Sequence, residues 1–452
     1  MMNQSDLLTW FSERPHIEYV LPFVADINGV FRGKRVPASQ VKKLIKNGLR
    51  MPLSSVNVDI WGRDIEDSPL VFESGDSDGK CFWTGRTPIV MTWDESKSAL
   101  LPMSFFTENG KAFAGDPRNA LKHLVSEFDG LKLRPVIAFE LEFYLADPKA
   151  QDGSLVNPLS GAVKVHDGVL SIDEINDFSD FLNEIYDCCK LNDVSVDAVI
   201  SESGFCQFEV NMKHSDDVLK AADDAVFFKT IVKSIARRRG IAATFMAKPF
   251  ADRPGNGMHA HFSILDEHSQ NIFNDGSETG TAIMRHCVGG IMANMKQSML
   301  FFAPHLNSYR RMAPGQHAPT SILWGYENRT ASVRIPGGAA ADRRIEHRVA
   351  GADTNPYLVT MAILGAALHG IKDAIEPDDP VDGNCYAMTV DADRTLPTTW
   401  EDAIRLFEEG DRIAGCFSKA MHDMIMRTKK QESTVFAKKI TPFEYQSYLE
   451  QV

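Results

Sequence analysis

"RPVIAFELEFYLAD", Arg134 to Asp147, is the stretch on which the fold turns. Ile137, Phe139, Leu141, Phe143 and Leu145 recur at every second position, the period of an extended strand with one face on a core. Glu140 and Glu142 therefore project together from the other face. One such strand ordinarily turns its acids to solvent, so the reading depends on whether the pattern recurs. It recurs three times. In "CQFEVNM" the apolar face is Cys206, Phe208, Val210 and Met212, leaving Gln207, Glu209 and Asn211 opposite. In "GMHAHFSIL" His259, His261 and Ser263 alternate against Met258, Ala260, Phe262 and Ile264. In "RRIEHRV" Arg344, Glu346 and Arg348 alternate against Ile345, His347 and Val349. Ordinary solvated faces carry mixed Lys, Ser and Thr. Four faces rich in Glu, His and Arg instead predict a sheet curved around a polar cavity.

The surrounding chain is that of a globular protein. It has 452 residues, 44% hydrophobic and 24% charged, with a net charge of −13. That acidic balance opposes a nucleic-acid surface, which needs a basic footprint. The seven cysteines (81, 188, 189, 206, 287, 385 and 416) are scattered without paired metal spacing, a usage that fits a reducing cytoplasm. The start, "MMNQSDLLTW", has no export signal, and the apolar run "VTMAILGAALHGI" is too short to cross a bilayer and reads as a core helix. A cytoplasmic protein without membrane or nucleic-acid partners is expected.

The first hundred residues form a separate pattern. Ser5 is read as the cap of a short helix, and Asn28-Gly29 as the turn of a hairpin in "HIEYVLPFVADINGVFRGKRVP". "SQVKKLIKNG" is a helix with Ser39 as its cap and Gly48 as its stop. "SSVNVDIW" and "RTPIVMTW" read as strands, and "WGRDIEDSPLVFESGDSDG" as an acidic loop. Asp116-Pro117 then opens a new helix, placing a boundary near residue 113. The chain is thus α+β, with a small domain over 1–112 and a larger one over 113–452.

The donor set identifies a chemistry. Glu140, Glu142, Glu202, Glu209 and Glu346 with His259 are oxygen-rich with one imidazole, which suits Mg²⁺ or Mn²⁺ over a thiolate-seeking metal. So many carboxylates on one concave surface repel unless cations neutralise them. Arg311, Arg329, Arg334, Arg344 and Arg348 supply forked donors for phosphate or carboxylate oxygens. Divalent metal with converging arginines is the equipment of phosphoryl transfer. No Walker loop is present; "GVFRGKR" has the wrong spacing, and "ARRRG" reads as a cationic helix C-terminus.

"FELEFYL", "ESGFCQFEVN", "GNGMHAHFS", "NSYRRMAPGQHAP", "NRTASVRIP" and "RRIEHR…NPYL" stand in the order of the glutamine synthetase family, which the chain resembles from residue 113 to 360. The "NGVFRGKRVP" hairpin carries the resemblance into the small domain. It implies an N-terminal β-grasp-like domain and a catalytic domain on an open antiparallel β-barrel. It also implies active sites shared between neighbours in a homo-oligomeric ring, commonly a double-ring dodecamer. On these positions Glu142, Glu202 and Glu209 would hold one metal, and Glu140, His259 and Glu346 a second, within a set of two or three Mg²⁺ or Mn²⁺. His261, Ser263 and Arg344 match contacts to ATP, Arg329 and Arg334 contacts to phosphate. Arg311 and Arg348, with Gly255, match positions around the glutamate substrate or the transferred phosphate. The implied reaction phosphorylates the γ-carboxylate of glutamate and displaces phosphate with an amine.

Departures from the family pattern gather on the nitrogen side. "PGQHAP" stands for the family's "PGYEAP", so a flap glutamate becomes His317. "PLSS" stands for Asp-Gly-Ser-Ser, so the ammonium-binding aspartate becomes Pro52. Pro254 replaces the usual Asn before "GNGMH". Ammonium offers a protein little besides charge. Four buried methylenes at roughly 0.8 kcal/mol each give an alkylamine about 3 kcal/mol, comparable to one charge-assisted hydrogen bond. Deprotonating an alkylammonium of pKa about 10.4 at neutral pH costs about 4–5 kcal/mol, and an imidazole such as His317 is suited to take that proton. The combination, with "GLRMPLS", looks most like the γ-glutamylpolyamine synthetase branch. Asp64, Glu66, Asp67, Glu73, Asp76 and Asp78 of the acidic loop are candidates for attracting a polycation. A glutamine synthetase using ammonia, γ-glutamylation of a monoamine or amino alcohol, and a non-catalytic scaffold are the alternatives.

Overall fold

A computed structural model of the chain describes residues 2–149, 156–161, 168–313, 315–410 and 417–452. Pro314 of the flap, Cys416 and part of the "EGDRIAG" stretch lie outside the described residues. The strands form two sheets. In the first, the order is Phe31–Gly33, Tyr19–Ala25, Ser98–Phe106, Asp78–Trp83, Leu49–Pro52, with Val36–Pro37 and Ile89–Val90 paired alongside. The hairpin predicted at Asn28-Gly29 is present: Gly29 takes a left-handed φ of 75°, and Ala25 faces Phe31 across the turn.

The second sheet runs Trp324–Tyr326, Val333–Ile335, Ile345–His347, Met258–Leu265, Arg134–Ala146, Gln207–Met212, Val196–Ser201, with Ala242–Thr244 also on the Arg134 strand. All its pairings are antiparallel except Trp324–Tyr326 with Val333–Ile335. The expected α+β class and the curved sheet are therefore present. Behind the central strand the apolar face packs on helix Val218–Arg238: Phe143 meets Phe208, Phe228 and Phe245 with ring centroids 5.4–6.3 Å apart. The apolar run read as a core helix is Pro356–Asp373. It crosses helix Ala282–Asn294 at near backbone contact, because a Cβ on Gly290 would lie 2.2 Å from the Ala366 carbonyl oxygen.

The first helix spans Gln4–Ser12 and is capped by Asn3, not Ser5, since Asn3 and Asp6 form a reciprocal capping box. Ser39 caps nothing: it sits inside a short 3₁₀ turn, Ala38–Gln40, that leads straight into helix Val41–Asn47. "SSVNVDIW" is a 3₁₀ turn at Leu53–Val56 followed by loop, because Asn57 and Asp59 spend their polar groups on local turns and on helix Lys419–Ala437. Asp116 does cap helix Pro117–Gly130, accepting from the Arg118 and Asn119 N–H groups, while its other oxygen accepts from Phe105 at 2.8 Å. Beyond it, Arg118 makes a two-pronged pair with Asp223, at 2.8 and 2.9 Å, and Tyr357 donates to the same carboxylate at 2.7 Å. One buried carboxylate thus ties three helices.

Candidate active site

The register of the second sheet assembles the site. His259 faces Glu140 on the central strand, Glu142 faces Glu209, and His261 faces Glu346. Because side chains of directly opposed residues share a face, acids and imidazoles from four strands converge on one concavity. His259 Nδ1 lies 3.0 Å from Glu140 Oε2 and 3.7 Å from Glu346 Oε1. His261 Nε2 lies 3.0 Å from Glu140 Oε1. Arg334 donates to Glu346 at 2.9 Å, and Arg348 grips its other oxygen.

Among the described residues, two trios bring ligand atoms within 4.8 Å of one another: Glu140, His259 and Glu346, and Glu142, Glu209 and His259. His259 belongs to both. Glu202, which follows the Val196–Ser201 strand, lines the same cavity but belongs to neither trio. Burial, and then the neighbouring Glu202 charge, pushes the Glu142 carboxyl well above the usual range. Burial does the same to Glu209, reinforced by Glu140, Glu142 and Glu202. Glu140 and Glu346 go the other way despite burial: hydrogen bonds from His259 and His261 hold Glu140 down, and Arg348 with the two imidazoles holds Glu346 down. The set fits a hard divalent cation, because it supplies carboxylate oxygens and one imidazole and leaves negative charge that the arginines do not cover. Gly257 makes room for it: a Cβ there would lie 3.3 Å from both Glu142 Oε1 and His259 Nε2.

The cavity in front of these residues has a volume of about 410 Å³. Glu140, Glu142, Glu202, Glu209 and His259 line it together with Arg311, Arg329, Arg348, Gly255 and His317. Arg311 is anchored by donating to the Val349 carbonyl at 2.8 Å. A second cavity of about 310 Å³ shares Glu140 and Asn211 with the first and is lined by Lys213, His214, His261 and Arg344. Arg344 Nε donates to His261 Nδ1 at 3.3 Å. Three site residues singled out in the sequence line neither cavity: Glu346, which is buried at 1% exposure, Arg334 and Ser263. Arg334 is buried against Glu346 and Glu327, and Ser263 faces Val136 two residues further along its strand than His261.

His317 is exposed on the flap, at a left-handed φ of 55°, with Tyr386 donating to its carbonyl at 3.0 Å. Pro52 and the rest of "PLSS" do not line this cavity; they lie at the edge of the first sheet, where Ser54 donates to Asp76 at 2.6 Å. The acidic loop does not line the cavity either. Helix Lys419–Ala437 holds it: Arg427 pairs with Asp67, and Glu432 and Gln431 accept from the Ile60 and Glu66 N–H groups.

Sequence reasoning assigned no role to several residues that shape the site. Gln207 is one, its amide donating to Gly255 O and Asn256 Oδ1 at 3.0 Å each and reaching Glu142 at 3.4 Å. Asn211 donates to Glu209 at 2.9 Å. Both lie on the polar face of "CQFEVNM", so the alternation marked them without saying what they hold.

The glutamine synthetase catalytic-domain model matches residues 114–448. The gamma-glutamylputrescine synthetase of Escherichia coli (strain K12) is 35% identical over 434 residues, 95% of this chain and 91% of that one. A glutamine synthetase of Pyrococcus abyssi (strain GE5 / Orsay) is 31% identical over 454 residues, 99% and 94% of the two chains. The solved structure described as "GmaS/ADP complex-Conformation 1" superposes with a TM-score of 0.86 at 30% identity, covering 99% of this chain and 100% of that one. With the fold, the cavity and the ordered motifs in agreement, the chain belongs to the glutamine synthetase family of ATP-dependent carbon–nitrogen ligases.

Proposed function

We propose that the enzyme joins the γ-carboxyl of glutamate to an alkylamine or polyamine of the putrescine type, with ATP as the phosphoryl donor. The observation that carries this reading is the make-up of one cavity wall: His317 and Pro254 border the same space as the metal-binding acids, where the family pattern has a flap glutamate and an asparagine. A cavity of about 410 Å³ accommodates an amino acid with a short aliphatic amine. The relative from Escherichia coli acts, by its name, on putrescine.

On this reading the nucleotide occupies the cavity beside His261 and Arg344, with its γ-phosphate directed at the shared Glu140 wall. Divalent cations held by Glu140, Glu142, Glu202, Glu209, His259 and Glu346 supply charge neutralisation for the phosphates. Arg311 and Arg348, near Gly255, orient glutamate. Arg329 faces the transferred phosphoryl group, and Arg334 holds Glu346 in place. The γ-carboxylate oxygen attacks the γ-phosphorus and ADP leaves, giving an acyl phosphate. His317 Nε2 or Nδ1 takes one proton from the alkylammonium, the freed amine nitrogen bonds the acyl carbon, the carbon–oxygen bond to phosphate breaks, and the second N–H proton leaves with the phosphate. The active assembly is proposed to be a ring-forming homo-oligomer, a double-ring dodecamer. Its support is the family to which the chain belongs, and the absence of Pro52 and the acidic loop from the lining of this chain's own cavity is in keeping with sites shared between neighbours. Among the described residues no helix is long and apolar enough to cross a membrane.

The test is ADP release from ATP and glutamate with putrescine, spermidine, monoamines, ethanolamine or ammonium offered in turn. Turnover with alkylamines at least tenfold above ammonium supports the reading. Turnover with ammonium alone selects the second reading, a glutamine synthetase, which the Pyrococcus abyssi relative favours. No turnover with any amine selects a scaffold without catalysis.

A further inference from the structure

We propose that Lys248 is a positioning residue that ties the His317 flap to the turn before Gly255 and thereby sets the amine-side entrance of the cavity. This rests on the reading of that flap as the cover over the incoming nitrogen. Lys248 sits on the loop after strand Ala242–Thr244, outside the cavity lining. It is only 6% exposed, unusual for a lysine, whose ammonium needs partners when it is withdrawn from water. Its backbone is clamped on both sides by one side chain. The Lys248 N–H donates to Asn307 Oδ1 at 2.9 Å, and Asn307 Nδ2 donates to the Lys248 carbonyl at 2.9 Å.

Fixed in that way, Nζ donates to two oxygens on different loops, Gln316 Oε1 and the Arg253 carbonyl. Gln316 immediately precedes His317, and Arg253 immediately precedes Pro254. Gln316, His317, Pro254 and Gly255 all line the cavity, so the ammonium links two lining loops without lining the cavity itself. Each loop is also braced on its far side: Tyr386 donates to the His317 carbonyl and Tyr144 to the Pro254 carbonyl, both at 3.0 Å. Lys248 joins these two braced halves to one another. The tie matters because His317 is a non-glycine residue at a left-handed φ of 55°, a conformation that persists only when neighbours hold it. Both acceptors of Nζ are neutral oxygens, so a residue that supplies charge without reach, or reach without donors, does not replace it.

The experiment uses the full-length enzyme and the nitrogen donor that gives the fastest wild-type ADP release. Lys248→Met, Gln316→Leu, the double variant and Lys248→Arg are compared for KM of donor, ATP and glutamate, with Tm as a folding check. Each single variant is expected to raise the donor KM at least tenfold while the ATP and glutamate KM stay within twofold. The double variant is expected to match the worse single one, since both changes cut the same tie. Lys248→Arg is expected to recover at least a third of the lost kcat/KM. A donor KM within twofold of wild type in both singles overturns the proposal, as does multiplication of the two losses in the double variant. So does a parallel rise in the KM of all three substrates. Should Lys248→Met not fold, Gln316→Leu on the loop decides alone. Ammonium as the only donor used would end the alkylamine reading yet leave this test intact, because the same constants are then read with ammonium.

Discussion

Replacing Gly257 by alanine adds one methyl group at the floor of the proposed metal site. The added Cβ would lie 3.0 Å from Arg311 Nη2 and 3.3 Å from both Glu142 Oε1 and His259 Nε2. Carbon contacts that close force neighbours to yield by a few tenths of an ångström. Two of these neighbours, Glu142 and His259, are groups proposed to converge on a cation. Mg²⁺ tolerates little of this, because it demands near-octahedral geometry at about 2.0–2.1 Å. Glu142 is the more constrained ligand, since its other oxygen already accepts from the Gly257 N–H at 2.8 Å and so moves with the substituted backbone.

Disturbing the partners of metal ligands elsewhere costs about 10–100-fold in metal affinity, and Gly257→Ala is expected to fall in that range. The φ at Gly257 is not left-handed, so the substitution brings no backbone strain to confuse the result. The assay is calorimetric titration of Mn²⁺ and Mg²⁺ into metal-stripped enzyme, with the metal dependence of ADP release alongside. Gly130→Ala is the control, as a Cβ there meets nothing within 4 Å. Metal affinity within about twofold of wild type in Gly257→Ala, at unchanged Tm, would refute the placement of the cation between Glu142, Glu209 and His259.

Metal binding should release protons, because Glu142 and Glu209 hold theirs above the usual carboxylate range when no cation is present. Release falls as pH rises through the raised values, and calorimetry in buffers of different ionisation enthalpy measures it. The same shifts fix a stability trend. With these acids, the folded state binds more protons than the unfolded state above the unfolded pKa. Metal-stripped enzyme should therefore lose Tm as pH rises from about 5 towards the raised values, while Mg²⁺ flattens that slope. Asp223→Asn leaves Arg118 buried without its counter-charge and should cost about 3–5 kcal/mol, read by denaturant unfolding. His317→Ala should lower turnover with a protonated amine severalfold and leave ATP binding unchanged, and equal turnover would remove the proton-acceptor role.

Side-chain parity carried the sequence reading far. The alternation in "RPVIAFELEFYLAD" and "GMHAHFSIL" put Glu140, Glu142, His259 and His261 on one face, and the sheet register then set them opposite Glu209 and Glu346. Parity names a face, though, and says nothing of depth along the strand. Ser263 shares the face of His259 and His261 yet pairs with Val136, past the end of the cavity. Arg334 was read as a phosphate contact from the family resemblance, and in the fold its guanidinium donates to Glu346. The clamp around Lys248 was illegible for another reason: Asn307 and Gln316 lie 59 and 68 positions away, and no local period links such residues.

The same limit governs the nitrogen side of the reaction. Five of the proposed metal positions, Glu140, Glu142, Glu209, His259 and Glu346, sit on paired strands, where register transmits their relation from sequence to space. The residues proposed to set the amine entrance, Pro254, Gln316 and His317, sit on loops tied by a few side-chain bonds from distant parts of the chain. A strand can change a surface residue without moving its neighbours. A loop held by two side-chain ties shifts when either is cut, so amine preference in this fold should be altered more readily at the ties beneath the flap than at the residues that touch the amine.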